Sequence, residues 1–322
     1  MEMPELDIWP RLPIMIEPRG WDICSRDDRS SRVGNIVSML NSKHHDRVCE
    51  TRLQRVPPSL WERIAAAMQT SFPELTNLSV SAVIQNDLNL DTPEVLRDSY
   101  LGGSARRLRS FALSGIPFPA MQKLLLSANH LVCLDLFDFP QSGYISPEAM
   151  VTCLSALPKL EYLSITFLSP RSPPGSESRR LPPLPRSVLP TLTSLSFRGA
   201  HEYLEGIISQ IDAPLVLLTI EFFTDRILVT PHFHRLISNI ADIDGARVTF
   251  SGRWVEFSGY KPGGSMGINL IMEQIDSFYP WPRFVVRPYR PSLLCAIFTS
   301  RKNPLVHHIG KTTRITASGR HF

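Results

Sequence analysis

Apolar residues recur along this chain in one frame, L-x-x-L-x-L-x-x-Φ, which appears six times. The framed residues are Leu75/Leu78/Val80/Val83, Leu108/Phe111/Leu113/Ile116, Leu131/Leu134/Leu136/Phe139, Leu160/Leu163/Ile165/Leu168, Leu192/Leu195/Phe197/Ala200 and Leu215/Leu218/Ile220/Phe223. All 24 framed positions are apolar, where a chain that is 43% hydrophobic would place about ten by chance. The central L-x-L alternates with the period of a strand. Successive frames start 33, 23, 29, 32 and 23 residues apart. That brackets the spacing of leucine-rich repeats of about 20–29 residues, with insertions in the longer units.

Between the frames the period changes to that of a helix. Ser146 is a good N-cap, Pro147 suits the first helical position, and Met150, Val151, Leu154 and Leu157 share a face before Pro158. Leu204, Ile207, Ile208 and Ile211 repeat the pattern before Pro214, and Phe233, Leu236, Ile237 and Ile240 do so after Thr230-Pro231. Each unit has an apolar strand face and an apolar helix face, and only stacked neighbours cover both. The expected fold is α/β, an irregular leucine-rich-repeat-like solenoid with parallel strands on one face and short helices on the other. Leucine-rich repeats place Asn or Cys at the ninth framed position, where this chain has only apolar residues, so the turn backbone must find other partners.

The flanks set the expected organisation. Residues 1–45 form an N-terminal segment, a partly ordered cap. The solenoid spans 46–260 and opens with a degenerate unit, a strand from Val48 to Leu53 and a helix capped by Ser59 carrying Leu60, Trp61, Ile64 and Met68. Residues 169–187, rich in Pro, Ser and Arg, are a loop insertion. Ala246–Phe250 and Arg253–Phe257 flank Ser251-Gly252 as a hairpin that caps the stack. Residues 261–322 are expected to be a basic, poorly folded tail, with the composition an out-of-frame end would give.

Strand side chains alternate, so the third, fifth and seventh framed residues form one outward surface. Nine of these 18 residues are Ser or Thr, and only Asp135, Arg198 and Glu221 are charged. The surface lacks the cationic footprint of nucleic-acid binding. Exposed Phe137 and Tyr162, beside Asp135, Arg198 and Glu221, resemble the aromatic and charged anchors of protein interfaces, and these five are the candidate partner-binding residues.

The whole chain has a net charge of +4, but residues 283–322 hold eight Lys/Arg and no acid, leaving 26 basic against 30 acidic residues elsewhere. The basic character therefore belongs to the tail, where contact with acidic membranes or RNA is the only basis for a nucleic-acid or membrane alternative. Five scattered cysteines, none in a C-x-x-C, fit reduced thiols in a cytoplasmic or nuclear protein. No apolar run approaches the roughly 18 residues of a membrane span.

Several stretches resemble the F-box and leucine-rich-repeat proteins of mushroom-forming fungi: LDIWPRLPIMI (6–16), HDRVCE (45–50), YLGGSARRLRSFALSGIPFPA (100–120), LLLSANHLVCLDLFDFPQSGYISPEAMVTCLSALPKLEYLSI (124–165) and EYLEGIISQIDAPL (202–215). The resemblance covers roughly residues 6–260 and implies a non-catalytic repeat region that holds a target. In that family an N-terminal F-box docks on the adaptor of a cullin ubiquitin ligase. Only five residues precede Leu6, so this chain is expected to lack its ligase hook, and the adaptor becomes a partner only if an F-box lies upstream.

Other motifs open alternatives. Gly263-Gly264-Ser265-Met266-Gly267 matches the G-x-S-x-G nucleophile elbow, with Asp276 and His307 or His308 following in order, which would make a serine hydrolase using Ser265. Against it, the elbow needs a strand before and a helix after, and 200 residues of repeats precede the match. His232-x-His234, His44-His45 and His307-His308 lack a zinc framework. Arg179-x-x-Pro182-x-x-Pro185 fits a polyproline ligand of an SH3-type domain. The favoured function is protein recognition without catalysis, metal or cofactor, as the target-binding repeats of a ubiquitin ligase substrate receptor.

Overall fold

The computed structural model describes residues 12–17, 34–42, 44–82, 99–117, 121–139, 144–168, 186–222, 231–238, 240, 245–250, 254–261, 263–273 and 313–315. They form an α/β structure around one sheet of twelve strands. In chain order the elements are β1 (Ile14–Ile16), α1 (34–40), β2 (Val48–Val56), α2 (Pro58–Ala67), β3 (Asn77–Ala82), β4 (Ser110–Ser114), α3 (Met121–Ser127) and β5 (Cys133–Phe139). They continue with α4 (Pro147–Ser155), β6 (Tyr162–Phe167), β7 (Ser187–Val188), β8 (Ser194–Gly199), α5 (His201–Ile208), β9 (Ile211–Asp212) and β10 (Leu217–Phe222). The last are α6 (Pro231–Ser238), β11 (Gly245–Phe250), β12 (Trp254–Tyr260), β13 (Met266–Glu273) and β14 (Thr313–Ile315). Strands β1 to β6, β8, β10 and β13 lie side by side in that order and pair in parallel, while β12, β11 and β14 follow antiparallel. Parallel neighbours joined by crossovers carry α3 against α4, α4 against α5 and α5 against α6.

The frame sets the register. Thr51, Leu78, Phe111, Leu134, Leu163, Leu195, Leu218 and Ile268 align as one row across the parallel strands. Two residues on, Leu53, Val80, Leu113, Leu136, Ile165, Phe197, Ile220 and Leu270 form a second row. All sixteen are buried, each apolar member contributing about 2 kcal/mol by leaving water.

A repeated backbone motif supplies what the missing Asn ladder would. The carbonyl of the second framed residue accepts two N–H donors from the next unit. Thr76 O accepts from Arg109 and Ser110, Arg109 O from Val132 and Cys133, Val132 O from Glu161 and Tyr162, Glu161 O from Thr193 and Ser194, and Thr193 O from Val216 and Leu217. Five of the six frames also start from a tight turn, in which the first leucine's N–H donates to the carbonyl three residues back, at Phe72, Ala105, Ala128, Leu157 and Leu189, while in the sixth Leu215 N–H donates to Ala213 O. Those five residues are buried as well, an extra apolar position of the unit.

The ninth framed position behaves in two ways. In β2 and β5 two residues oppose one on the next strand, and the second of the two, Arg55 (φ 56°) or Asp138 (φ 49°), is left-handed. This bulge returns Val56 and Phe139 to the core, and Gly115 (φ 69°) precedes buried Ile116 in the same way. β6 has no such residue, so alternation continues: Phe167 turns inward and Leu168 is 46% exposed, against the expectation that Leu168 is core. Ala200 likewise yields the inward place to Gly199. Val83 and Phe223 lie outside the described residues. Inward strand residues at this end, Phe139, Phe167, Phe197 and Phe222, make an aromatic column that Phe233 of α6 continues, with neighbouring centroids 6.1–6.5 Å apart. Tyr144 and Tyr203 flank Phe167, Tyr203 edge-on at 4.8 Å.

Helix α4 follows its sequence signal, with the Ser146 side chain accepting from Ala149 N–H and Pro147 in first position. Ser59 does not cap α2. Pro57 occupies that place, because its extended backbone and Pro58 already preset the entry. Of the expected insertion, residues 186 and 187 are described, and they join the repeats. Arg186 donates from Nε to Ser209 O and from Nη2 to Ile208 O, satisfying carbonyls at the end of α5, and β7 pairs with β9 beside it. The sheet also passes the expected boundary at 260. β13 lies between β10 and the β11–β12 hairpin, so the hairpin does not itself meet β10. The frame recurs here with Ser265, Ile268 and Leu270 at its first, fourth and sixth positions, a polar first residue having hidden it. Residues 274–312 and 316–322 lie outside the described residues. Among the described residues, no helix is long and apolar enough to cross a membrane.

Two glycines sit where neighbours leave no room. A Cβ on Gly199 would stand 2.8 Å from Phe167 Cδ2 and 2.9 Å from Phe197 Cζ. One on Gly206, in α5, would stand 2.8 Å from both Cβ and Cγ of Pro147 in α4. Urea titration should show Gly199→Ala and Gly206→Ala each losing about 1–3 kcal/mol through overpacking. Gly34→Ala, with nothing within 4 Å, should lose nothing. Equal midpoints for all three would refute the packing of α5 on α4 and of the aromatic column.

Candidate functional site

The third, fifth and seventh framed residues make three outward rows. The third-position row runs Glu50, Asn77, Ser110, Cys133, Tyr162, Ser194, Leu217. The fifth runs Arg52, Ser79, Ala112, Asp135, Ser164, Ser196, Thr219, Asn269. In the seventh, Ser81 pairs with Ser114 and Ser114 with Phe137, and beyond the β5 bulge Thr166 pairs with Arg198, Arg198 with Glu221 and Glu221 with Ile271.

All five candidate residues lie on this face, in two groups. Arg198 and Glu221 are cross-strand partners, with Arg198 Nε 3.0 Å from Glu221 Oε1, and largely neutralise each other. Asp135, Phe137 and Tyr162 cluster on β5 and β6. Phe137 is 40% exposed, two residues along the strand from Asp135, and Tyr162 sits diagonally across from Asp135, opposite Cys133. The face is less open at its centre than alternation alone implies, since Ser164 and Thr166 on β6 are buried although they point outward. Short side chains between longer neighbours lose solvent contact even on a sheet surface.

Electrostatics single out Asp135. Burial pushes its carboxyl up to about 6, and the nearby Ser164 hydroxyl pulls it only partly back. No well-formed hydrogen bond reaches Asp135 Oδ1 or Ser164 Oγ, and both atoms are shielded from solvent. Burial likewise raises the Tyr162 phenol and the Cys133 thiol, and the Asp135 charge adds to each. Cys133, in the sequence only one of five scattered thiols, thus belongs to the cluster, as does Ser164. What joins them is cross-strand register, which the spacing of a single frame does not display. Farther along, Arg52 pairs with Glu50 on its own strand, and the Asn269 Oδ1 of β13 is buried without a partner.

Comparison with protein-family models, with curated proteins and with solved structures returned no match. The site is therefore read from its own geometry.

Ser265 is exposed in the turn joining antiparallel β12 and β13. Gly263 (φ 89°) and Gly264 (φ 82°) supply its left-handed backbone, and Lys261 N–H donates to Ser265 O. The nucleophile elbow is a strand–turn–helix, whereas here a strand follows the turn. Asp276, His307 and His308 lie outside the described residues, as does the polyproline segment 179–185. His45 packs edge-on to Phe72 at 5.8 Å, with Nδ1 2.9 Å from Ser42 O, a local structural role. Among the described residues no three His, Cys, Asp or Glu side chains group as a metal site.

The raised Asp135 carboxyl makes stability depend on pH with a definite sign. The folded state binds this proton more tightly than the unfolded chain, so the contribution favours folding below about pH 4 and is lost as pH rises through about 6. Asp135→Asn should remove that loss. It should match wild type near pH 4 and exceed it by about 1 kcal/mol at pH 7.5, a figure reduced for partial exposure. Denaturation midpoints across this range check it, and a constant difference would mean that Asp135 is solvated normally.

Proposed function

We propose that this chain is a non-catalytic protein-recognition module that holds a protein target on the outward face of its parallel sheet. The observation that carries the reading is the face itself: aligned rows of Ser, Thr and small residues, interrupted on β5 and β6 by an exposed phenylalanine, a half-buried tyrosine and a half-buried carboxylate. Small hydroxyl residues make a surface that a partner can approach closely, and aromatic anchors supply most of the binding energy at such interfaces. The stacked units fit a leucine-rich-repeat-like solenoid without the Asn ladder. The wording shared with the F-box and leucine-rich-repeat proteins supports a finer reading, the target-binding region of a ubiquitin ligase substrate receptor.

A photo-crosslinking residue placed at Phe137 should capture a discrete protein in cells. The same residue at Leu126, which is 51% exposed on α3, should not. Equal capture from both positions would contradict recognition by the sheet face.

A further inference from the structure

We propose that the protein partner places a cationic side chain, a lysine ammonium or an arginine guanidinium, on Asp135 between Phe137 and Tyr162. The inference rests on the reading that this face holds a protein and adds the chemistry of the contact.

Charge complementarity is the first argument. Across β3 to β6, Asp135 is the single charged residue at the outward framed positions. The nearest outward cations of the described face are Arg52 on β2 and Arg198 on β8, and each already faces a glutamate. Asp135 thus carries a carboxylate that no cation of its own face neutralises, with Oδ1 shielded from water and only the neutral Ser164 hydroxyl offsetting the charge in part. A half-buried charge in that condition costs free energy until a donor arrives, and a charged donor offsets it best.

Shape is the second argument. The direct neighbours of Asp135 on the two adjacent strands are Ala112 and Ser164, both small, so nothing tall on either side blocks an incoming chain. Taller groups stand at the corners. Phe137 is exposed beside Asp135, and Tyr162 stands diagonally across. A cation approaching the carboxylate would lie against aromatic rings, an arrangement that attracts ammonium and guanidinium groups through the ring quadrupole. The Ser164 hydroxyl, directly across from Asp135, places a second oxygen next to the carboxylate. An anionic or purely apolar partner group would leave Oδ1 as unpaired as before.

The test uses the full chain against arrays of short peptides. Lysine- and arginine-containing sequences are compared with matched sequences carrying norleucine and citrulline. Wild type should bind a subset of the cationic peptides and lose the norleucine and citrulline counterparts. Asp135→Asn, which keeps the side-chain shape and should not lower stability at neutral pH, should weaken that binding by about tenfold or more. Binding of neutral or acidic peptides that Tyr162→Ala abolishes and Asp135→Asn leaves alone would overturn the cationic contact while keeping the face as an interface. Binding of no peptide, or binding indifferent to every outward substitution, would overturn both.

Discussion

The carbonyl of each second framed residue, at Thr76, Arg109, Val132, Glu161 and Thr193, accepts two N–H groups from the unit that follows, and the register of the parallel sheet depends on this bond pair. A one-residue slip would break it and would send the leucine rows outward. Because the bond pair recurs at the same framed position, the fourth and sixth residues meet the core in every unit, and the third, fifth and seventh point to the opposite face. Core and outward face are two consequences of one alignment.

Within that alignment the chain tolerates variation at one end of each strand. A left-handed residue at that end, Arg55, Gly115 or Asp138, brings the ninth position inward, and its absence brings the eighth inward instead. The second arrangement puts Phe167 and Phe222 in line with Phe139 and Phe197 in the aromatic column. Gly199 is required by its closeness to those rings and not by its backbone angle. A left-handed Arg or Asp costs about 1 kcal/mol or slightly more, which the burial of Val56 or Phe139 offsets.

Much of this was legible in the sequence. The leucine rows, the strand order through β10, helix α4 with its Ser146 cap and the outward placement of Asp135, Phe137, Tyr162, Arg198 and Glu221 all follow from two periodicities, 2 and 3.6. Other features had no local signal. Leu168 and Phe167 are both apolar, and only the missing bulge decides which turns inward. β13 was hidden because Ser265 replaces the leading leucine and because a hairpin separates it from β10 in sequence. The grouping of Cys133 and Ser164 with Asp135 arises across strands, as does the divorce of the Arg198–Glu221 pair from that group.

Since the proposed recognition depends on the strands presenting one continuous outward row, the most direct measurement is a distance across it. Ser79 and Thr219 occupy the same row on β3 and β10, five strand steps apart. Spin labels on ketone-bearing residues at these two sites would avoid the native thiols. Double electron–electron resonance should then give a single population near 24 Å, from about 4.8 Å per strand and broadened by the label arms. A separation far above that, or a broad distribution without a main peak, would contradict a single registered sheet and with it the face on which the proposed function rests.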